Sequence, residues 1–329
     1  MARYAIGFDI GGTKLAVCLA REDADGITIL DKIKAPTPVG PAAALDLFIE
    51  GMNTLLERAG MDASGLCGVG VSCGGPLDSK NGLILSPPNL PGWDAVPITD
   101  NIRKRCGVSA YLQNDADACA LAEWKYGAGR GTDSMVFLTF GTGFGAGLIL
   151  GGRLYTGACD MAGEIGHCRA PLTGGTAYSP VGYGKAGSFE GFCSGGGIAE
   201  LGRSMALERI QMGKPAAFCP TLSDLPGLTA KIIGDAAEAG DPLAKAVYTA
   251  CGERLGAALS LLIDLLNPEA VVIGSIYARS ENLLRETVLE VIGREALSRS
   301  AAACRILPAA LGESLGDMAA AAVAFNNAP

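Results

Sequence analysis

The sequence predicts an α/β protein with two related halves around a central cleft, and three observations lead there. The first is a pair of glycine-rich loops, Asp9-Ile10-Gly11-Gly12-Thr13-Lys14 and Gly141-Thr142-Gly143-Phe144-Gly145-Ala146-Gly147. Each follows an apolar run that reads as a strand (Tyr4–Phe8; Met135–Phe140) and precedes another (Leu15–Ala20; Leu148–Leu150). The second is the alternation of strand-like and helix-like segments between them. The third is the length of 329 residues, enough for two domains that each bury a core.

Taken in order, the opening hairpin leads into Pro41–Ala59, where Leu45, Phe48, Ile49, Met52, Leu55 and Leu56 share one face of a helix. Val69–Ser72 reads as a short buried strand, and Cys73–Pro76 as its turn-rich exit. Tyr111–Gln113 is another strand, ending at Asn114-Asp115. A helix over Ala116–Tyr126 comes next and stops at Gly127 and Gly129. The second half opens with the second hairpin and continues through a polar, loop-rich stretch, Gly151–Ser194. Helices are expected over Ala199–Gln211 and Pro242–Leu266, with a strand at Ala270–Ile273 before Gly274-Ser275. The alanine-rich helix Gly316–Phe325 should pack back on the first domain. The expected domains are therefore residues 1–115, joined by residues 312–329, and residues 116–311, with a hinge rather than a tether between them.

Composition narrows the function. Hydrophobic residues make up 49% and charged residues 18%, as in an ordinary globular protein. A net charge of −8 without runs of Lys or Arg argues against a nucleic-acid partner, because phosphate backbones require a basic face. Met1-Ala2-Arg3 runs straight into the first strand, so no signal peptide is expected. The uncharged stretch from Ser134 to Gly152 is broken by glycines and reads as a β-hairpin, not a membrane span. The 11 cysteines form no Cys-x-x-Cys pair and read as free buried thiols in a reducing cytoplasm.

The loops carry the chemistry. Without a Cβ, glycine lets backbone N–H groups approach anionic oxygen, and two such loops suggest one nucleotide held from both sides. Gly11, Gly12 and Thr13 can offer N–H groups, and Thr13 a hydroxyl; Lys14 is either a charge near the phosphates or a solvated side chain. Asp9 is placed to hold magnesium through water, or else to cap the turn. Asp115, at a strand end, can take a proton from an attacking hydroxyl or can cap the adjoining helix. The sole histidine, His167, is either structural or, beside Glu164, a partner for vicinal sugar hydroxyls, with Glu190 nearby in sequence. Pro88-Asn89-Leu90-Pro91-Gly92-Trp93 offers an amide on a rigid loop.

Jointly and in this order these residues resemble the ROK family, which groups bacterial sugar kinases with sugar-responsive repressors. The matching segments are 9–14, Gly-Gly-Pro-Leu-Asp at 74–78, 88–93, Asn114-Asp115, 141–145, Gly163-Glu164-Ile165-Gly166-His167 and Glu190-x-x-x-Ser194-Gly195. The resemblance implies an actin-like ATPase (ribonuclease H-like) fold and a homodimer. It implies Asp115 as general base toward a sugar 6-hydroxyl, with Gly75, Asn89, Asn114, Glu164, His167 and Glu190 binding the sugar. It also implies that ATP and Mg2+ are met by the first loop, by Gly141, Thr142, Gly143 and Gly145, and by Gly195, Gly196 and Gly274. The family's zinc motif, Cys-x-Cys-Gly-x-x-Gly-Cys, is replaced here: its cysteine positions hold Val181, Tyr183 and Ser188, and Cys168 and Cys193 have the wrong spacing to substitute. A zinc-free member is expected, its loop held by packing and hydrogen bonds.

The leading expectation is an ATP-dependent hexose kinase acting on glucose, with N-acetylmannosamine or N-acetylglucosamine as the alternative substrate. ATP is preferred over polyphosphate as donor because the surface lacks a basic run. A sugar-sensing repressor would need a helix-turn-helix domain ahead of Asp9, where the chain is short and the overall charge acidic. A non-catalytic sugar binder would be expected to have lost Asp115 or a loop.

Overall fold

In a computed structural model the chain opens with β1 (Arg3–Ile10), β2 (Lys14–Asp23), β3 (Gly26–Pro36) and α1 (Pro41–Ala59). Next come β4 (Gly68–Cys73), the short strands β5 (Leu77–Asp78), β6 (Leu83–Ile84) and β7 (Val96–Pro97), then α2 (Ile98–Cys106), β8 (Ala110–Asn114) and α3 (Asp115–Tyr126). The middle of the chain forms β9 (Met135–Leu138), β10 (Ala146–Ile149), β11 (Leu154–Tyr155), β12 (Val181–Gly182) and β13 (Lys185–Ala186). Helices α4 (Gly195–Gln211), α5 (Ala230–Glu238) and α6 (Pro242–Leu266) precede β14 (Ala270–Ile273) and α7 (Ile276–Arg279). The chain closes with α8 (Glu281–Glu295), α9 (Ser298–Ala303), β15 (Arg305–Pro308) and α10 (Leu315–Asn327). The structure describes residues 2–170, 181–182 and 184–329.

Two units emerge: unit 1 is Met1–Asp133, Gly147–Ala162 and Ala310–Pro329, and unit 2 is Ser134–Ala146 and Gly163–Ala309. The division differs from the expected boundary at residue 115. Helix α3 stays with unit 1 because it packs along α10, and buried Glu123 in α3 accepts the N–H groups of Ala310 (3.2 Å) and Leu311 (2.9 Å). The second hairpin is also shorter on one side and longer on the other than expected: β9 ends at Leu138, and β10 starts at Ala146.

Unit 1 is organised by a sheet of order β3-β2-β1-β4-β8. Strands β1 and β2 pair antiparallel around the first glycine loop, and β4 lies parallel to both β1 and β8. One face buries Ile6, Phe8, Val17, Val69 and Val71 against Phe48 and Leu55 of α1, with the Phe8 and Phe48 rings stacked at 4.6 Å. Pro41 begins α1, where its missing N–H costs nothing, and Gly60 ends it in the left-handed conformation. The other face, with Ala5, Cys18 and Ala20, is covered by Ala321, Ala324 and Phe325 of α10. The approach is so close that a Cβ on Gly70 would lie 2.0 Å from the Ala320 carbonyl oxygen, and one on Gly7 2.9 Å from the Ala321 nitrogen.

In unit 2, β14 pairs in parallel with β9 and with β15. Helix α6, largely buried, packs against α4, α5 and α8; it is capped by Asp241, whose carboxylate accepts the N–H groups of Leu243 and Ala244, and ended by left-handed Asn267 before Pro268. It is long and apolar enough to cross a membrane, yet 67% of its most apolar window is buried inside the protein. The cysteines are free thiols; Cys18, Cys73, Cys193, Cys219 and Cys251 are buried, whereas Cys159 and Cys168 are exposed, contrary to the expectation that all would be buried.

Gly70→Ala should destabilise the protein by about 3 kcal/mol, since the obstruction is helix backbone that cannot rotate away. Gly60→Ala meets no atom within 4 Å and is strained only by its φ of +63°, so it should cost only about 1 kcal/mol. Urea denaturation of both variants tests this; equal losses would mean that α10 does not press on β4.

Candidate active site

In unit 1 the first loop, the asparagine loop and the start of α3 converge. The β1–β2 pairing carries Asp9 opposite Ala16 and Ile10 opposite Leu15, which leaves Gly11, Gly12 and Thr13 in the turn. Thr37 fastens that turn, its hydroxyl donating to the Gly11 carbonyl and its N–H to the Thr13 carbonyl. Gly12 lies directly against Asn89: a Cβ there would be 2.7 Å from the Asn89 Cβ. Gly75 lies beside Asn114, whose Nδ2 would be 3.3 Å from a Cβ at that position. Asn114 is the N-cap of α3, accepting the Ala116 N–H at 2.9 Å. Asp115 therefore stands one residue inside the helix; its Oδ1 also accepts from Ala116 N at 2.8 Å. Both side chains thus accept the same N–H, and both roles stay open for Asp115. Lys14 is exposed at the start of β2, where its carbonyl accepts the Gly11 N–H.

In unit 2 the second glycine loop meets the motif around His167. The Thr139 N–H donates to the Gly145 carbonyl, and the Gly145 N–H returns to Thr139 Oγ1 at 2.8 Å. Glu190 Oε2 accepts from Phe144 N at 3.1 Å, so this carboxylate orders the loop. Gly166 lies under Phe144, where a Cβ would be 1.9 Å from the Phe144 carbonyl. Glu164 is half-buried and His167 exposed on the same short turn, which the His167 N–H to Glu164 carbonyl bond closes at 3.1 Å. Gly195, Gly196 and Gly197 form the first turn of α4, capped by Ser194, although their composition reads as loop. Gly141 touches Ser275 and Gly195, and the Gly195 N–H donates to the Gly141 carbonyl at 2.8 Å.

One expectation about the loops changes. The N–H groups of Gly11, Gly141, Gly145, Gly195 and Gly274 are committed to hydrogen bonds within the protein. Those glycines shape the turns, while Gly12, Thr13, Thr142 and Gly143 have N–H groups outside these bonds and are better placed to meet an anion.

Electrostatically, Asp9 is the unusual group. Burial, then the carboxylates of Asp115 and Asp317, push it up to about 7, against a smaller opposing pull from Lys34 and a hydrogen bond from Ser72. Asp115 reaches solvent, yet protein crowds it closely enough that desolvation raises its carboxyl, against the N–H of Ala116. Asp317, 4% exposed, is paired with Lys32 at 2.8 Å. The residues fit a magnesium ion: a carboxylate penalised by burial and by like charge is relieved by a divalent cation. Among the described residues no group of three His, Cys, Asp or Glu is arranged to hold a metal, but magnesium on phosphate keeps most of its waters and needs only one or two carboxylates.

At the positions of the family's zinc cysteines, Val181 is exposed and Tyr183 lies outside the described residues. Ser188 is fully buried and acts as a hub: its Oγ accepts from Gly182 N (3.0 Å) and Gly191 N (3.3 Å) and donates to the Gly182 carbonyl.

The ROK family profile matches residues 5–327, nearly the whole chain. The chain belongs to the ROK family. Among its ROK relatives, the glucokinase of Thermotoga maritima is 34% identical over 292 residues, covering 87% of each chain. The glucokinase of Halalkalibacterium halodurans is 30% identical over 316 residues, covering 95% of this chain and 92% of the relative. A Streptomyces griseus ROK glucokinase solved with glucose and AMPPNP superposes with a TM-score of 0.76 at 28% identity, covering 98% of this chain and 100% of that one. Like these ROK sugar kinases, the chain has the actin-like ATPase fold. Transcriptional repressors belong to the same family.

Several residues at the site were not singled out by sequence: Ser72, Asp317 and Ser275 each stand beside a glycine or carboxylate only once the chain is folded. Because the Asp9 carboxyl is raised in the folded state, its contribution to stability is complete below about pH 4 and lost as pH rises toward 7. Asp9→Asn should therefore raise the Tm of the ligand-free protein at pH 8 by roughly 2–5 °C, with the gain shrinking toward pH 5. Differential scanning fluorimetry across that range checks it; a variant less stable at pH 8 contradicts the electrostatic reading.

Proposed function

We propose that this protein transfers the γ-phosphoryl group of ATP to the 6-hydroxyl of a hexose, with glucose the first candidate. The observation that carries this reading is Asp115: Asn114 caps α3, so a carboxylate raised by desolvation is left at the helix start beside Asp9. Sequence identity supports a kinase over a repressor: the glucokinase relatives are 30–34% identical to this chain and the repressors 22–26%.

In this reading the sugar-binding residues are Asn89, Asn114, the backbone at Gly75, Glu164 and His167. Glu190 keeps the second glycine loop in shape through the Phe144 N–H. Hydrogen bonds from several side chains to vicinal hydroxyls fix the ring so that only the 6-hydroxyl is presented. The Asp115 carboxylate takes the proton of that hydroxyl as its oxygen bonds to the γ-phosphorus. The bond between that phosphorus and the bridging oxygen of ADP then breaks. The N–H groups of Gly12, Thr13, Thr142 and Gly143 offset charge on the phosphate oxygens. Asp9 would hold magnesium, which would supply positive charge to offset that of the phosphate oxygens.

Which hexose is used depends on contacts around carbons 2 and 3. The residues named here read hydroxyls that glucose shares with N-acetylmannosamine and N-acetylglucosamine.

A coupled ADP-release assay over a panel of hexoses and N-acetylhexosamines tests the reading. Asp115→Asn should lower kcat by about 10³-fold and leave the sugar KM within a few-fold, as expected for the loss of a general base. Ionised Asp115 is the active form, so wild-type kcat/KM should fall with decreasing pH, and its raised carboxyl puts that limb above the ordinary aspartate range. A variant with near-normal kcat removes Asp115 from the reaction; a wild type inert toward every sugar removes the kinase reading.

A further inference from the structure

Asp160 has a conformation that the phosphoryl-transfer chemistry does not explain. Its φ is +55°, a left-handed conformation that side chains other than glycine adopt at a cost. Such strain persists only where the surroundings impose it. Here the surroundings are Ser79: its N–H donates to Asp160 Oδ2 at 2.7 Å and its hydroxyl to Oδ1 at 3.0 Å. One carboxylate thus grips one residue twice, and both are half-buried.

The segments on either side give the clamp its meaning. Toward the N-terminus of Ser79, Leu77 is buried and paired with Ile84, the Pro76 carbonyl accepts the Leu85 N–H at 2.9 Å, and Gly75 touches Asn114. Asp78 accepts from both the backbone and the side chain of Asn81, so the turn carrying Ser79 is itself rigid. Beyond Asp160 the chain runs through Met161 and Ala162 into Gly163 and Glu164. The Ala162 N–H bonds the Thr156 carbonyl at 3.1 Å. Gly163 accepts the Ala146 N–H at 2.8 Å, so close that a Cβ would be 1.9 Å from the Ala146 carbonyl. The segment is thus held to Ser79 at Asp160 in unit 1, and Gly163, the residue before Glu164, is bonded to Ala146 within unit 2.

We propose that Asp160 is a positioning residue: by clamping Ser79 it sets the path of the segment that presents Glu164 and His167 to the sugar. The kinetic part of this inference rests on the hexose-kinase reading; the clamp itself does not. An aspartate suits the place because its short side chain tolerates the left-handed backbone while reaching the next turn.

Four variants separate clamp from strain. Asp160→Ala keeps the strain and loses both bonds, and Asp160→Gly relieves the strain and also loses them. Asp160→Asn keeps them, because an amide oxygen can accept the Ser79 N–H while its NH2 donates to the hydroxyl. Ser79→Ala loses only the hydroxyl bond. The hexose KM should rise by about tenfold in Asp160→Ala and Asp160→Gly, with kcat and the ATP KM within about threefold of wild type, the pattern of lost substrate positioning. Asp160→Asn should behave as wild type, and Ser79→Ala should fall between.

Amide hydrogen exchange over residues 156–168, without ligand, should quicken in the alanine and glycine variants but not in the asparagine variant. Unchanged exchange in Asp160→Ala overturns the clamp, whatever the enzyme acts on. Faster exchange with an unchanged hexose KM overturns the positioning role and leaves a structural tie. A wild type that phosphorylates no hexose sinks the kinase reading, and the exchange data then judge the clamp alone.

Discussion

Close contact between α10 and the unit 1 sheet is the constraint on which most of the first half-site depends. Only glycine at 7 and 70 and alanine along the facing helix allow backbone to approach backbone so nearly. The approach brings the first turn of α10 to the end of β1, where Gly316 packs on the Asp9 carboxylate and Asp317 sits nearby. The sheet presents Asp9, and the helix sets its electrostatic surroundings.

Those surroundings are unfavourable to an ionised Asp9, and that is informative. Burial and two carboxylates push its carboxyl far above the ordinary range, outweighing the pull of Lys34, and Lys32 and Lys34 on β3 form their ion pairs with Asp317. Lys32 is substantially exposed, so its pairing with Asp317 is screened and worth less than a fully buried bridge. A divalent cation at Asp9 would relieve both penalties. It also bears on Asp115, because a proton acceptor beside an uncompensated carboxylate holds its proton more strongly than one beside a carboxylate occupied by metal.

Much of this is legible in the sequence because the elements that position the site are strongly patterned. Helices Pro41–Ala59 and Pro242–Leu266 can be read to the residue, since each begins at proline and ends at a residue suited to left-handed backbone. Strand Ala270–Ile273, a short apolar run closed by glycine, is equally plain. Less visible are features that depend on partners distant in sequence. Strand β3 alternates half-buried and exposed residues at a sheet edge and carries Lys32 and Lys34, so its sequence has little apolar signal. The start of α4 is hidden by three glycines, poor helix formers, of which Gly197 is required because a Cβ there would lie 2.4 Å from the Gly191 carbonyl. The boundary expected at residue 115 differs from the division by contacts because helix α3 looks, along the chain, as if it belongs with the second hairpin; its packing on α10 is a contact between segments nearly two hundred residues apart.

The placement of α10 also has a consequence during synthesis. Strands β1, β2 and β4 leave the ribosome early, but the helix that covers one of their faces is made after the whole of unit 2. Until it arrives, Ala5, Cys18 and Ala20 face no partner from α10, and the glycine-lined groove at Gly7 and Gly70 is empty of its helix. Unit 2 can complete its own core first, whereas unit 1 must wait, because closure joins residues from opposite ends of the chain. Nascent-chain quality should therefore be most fragile in the half that is translated first, and a fusion or truncation near α10 would act on the earliest strands rather than on its neighbours in sequence.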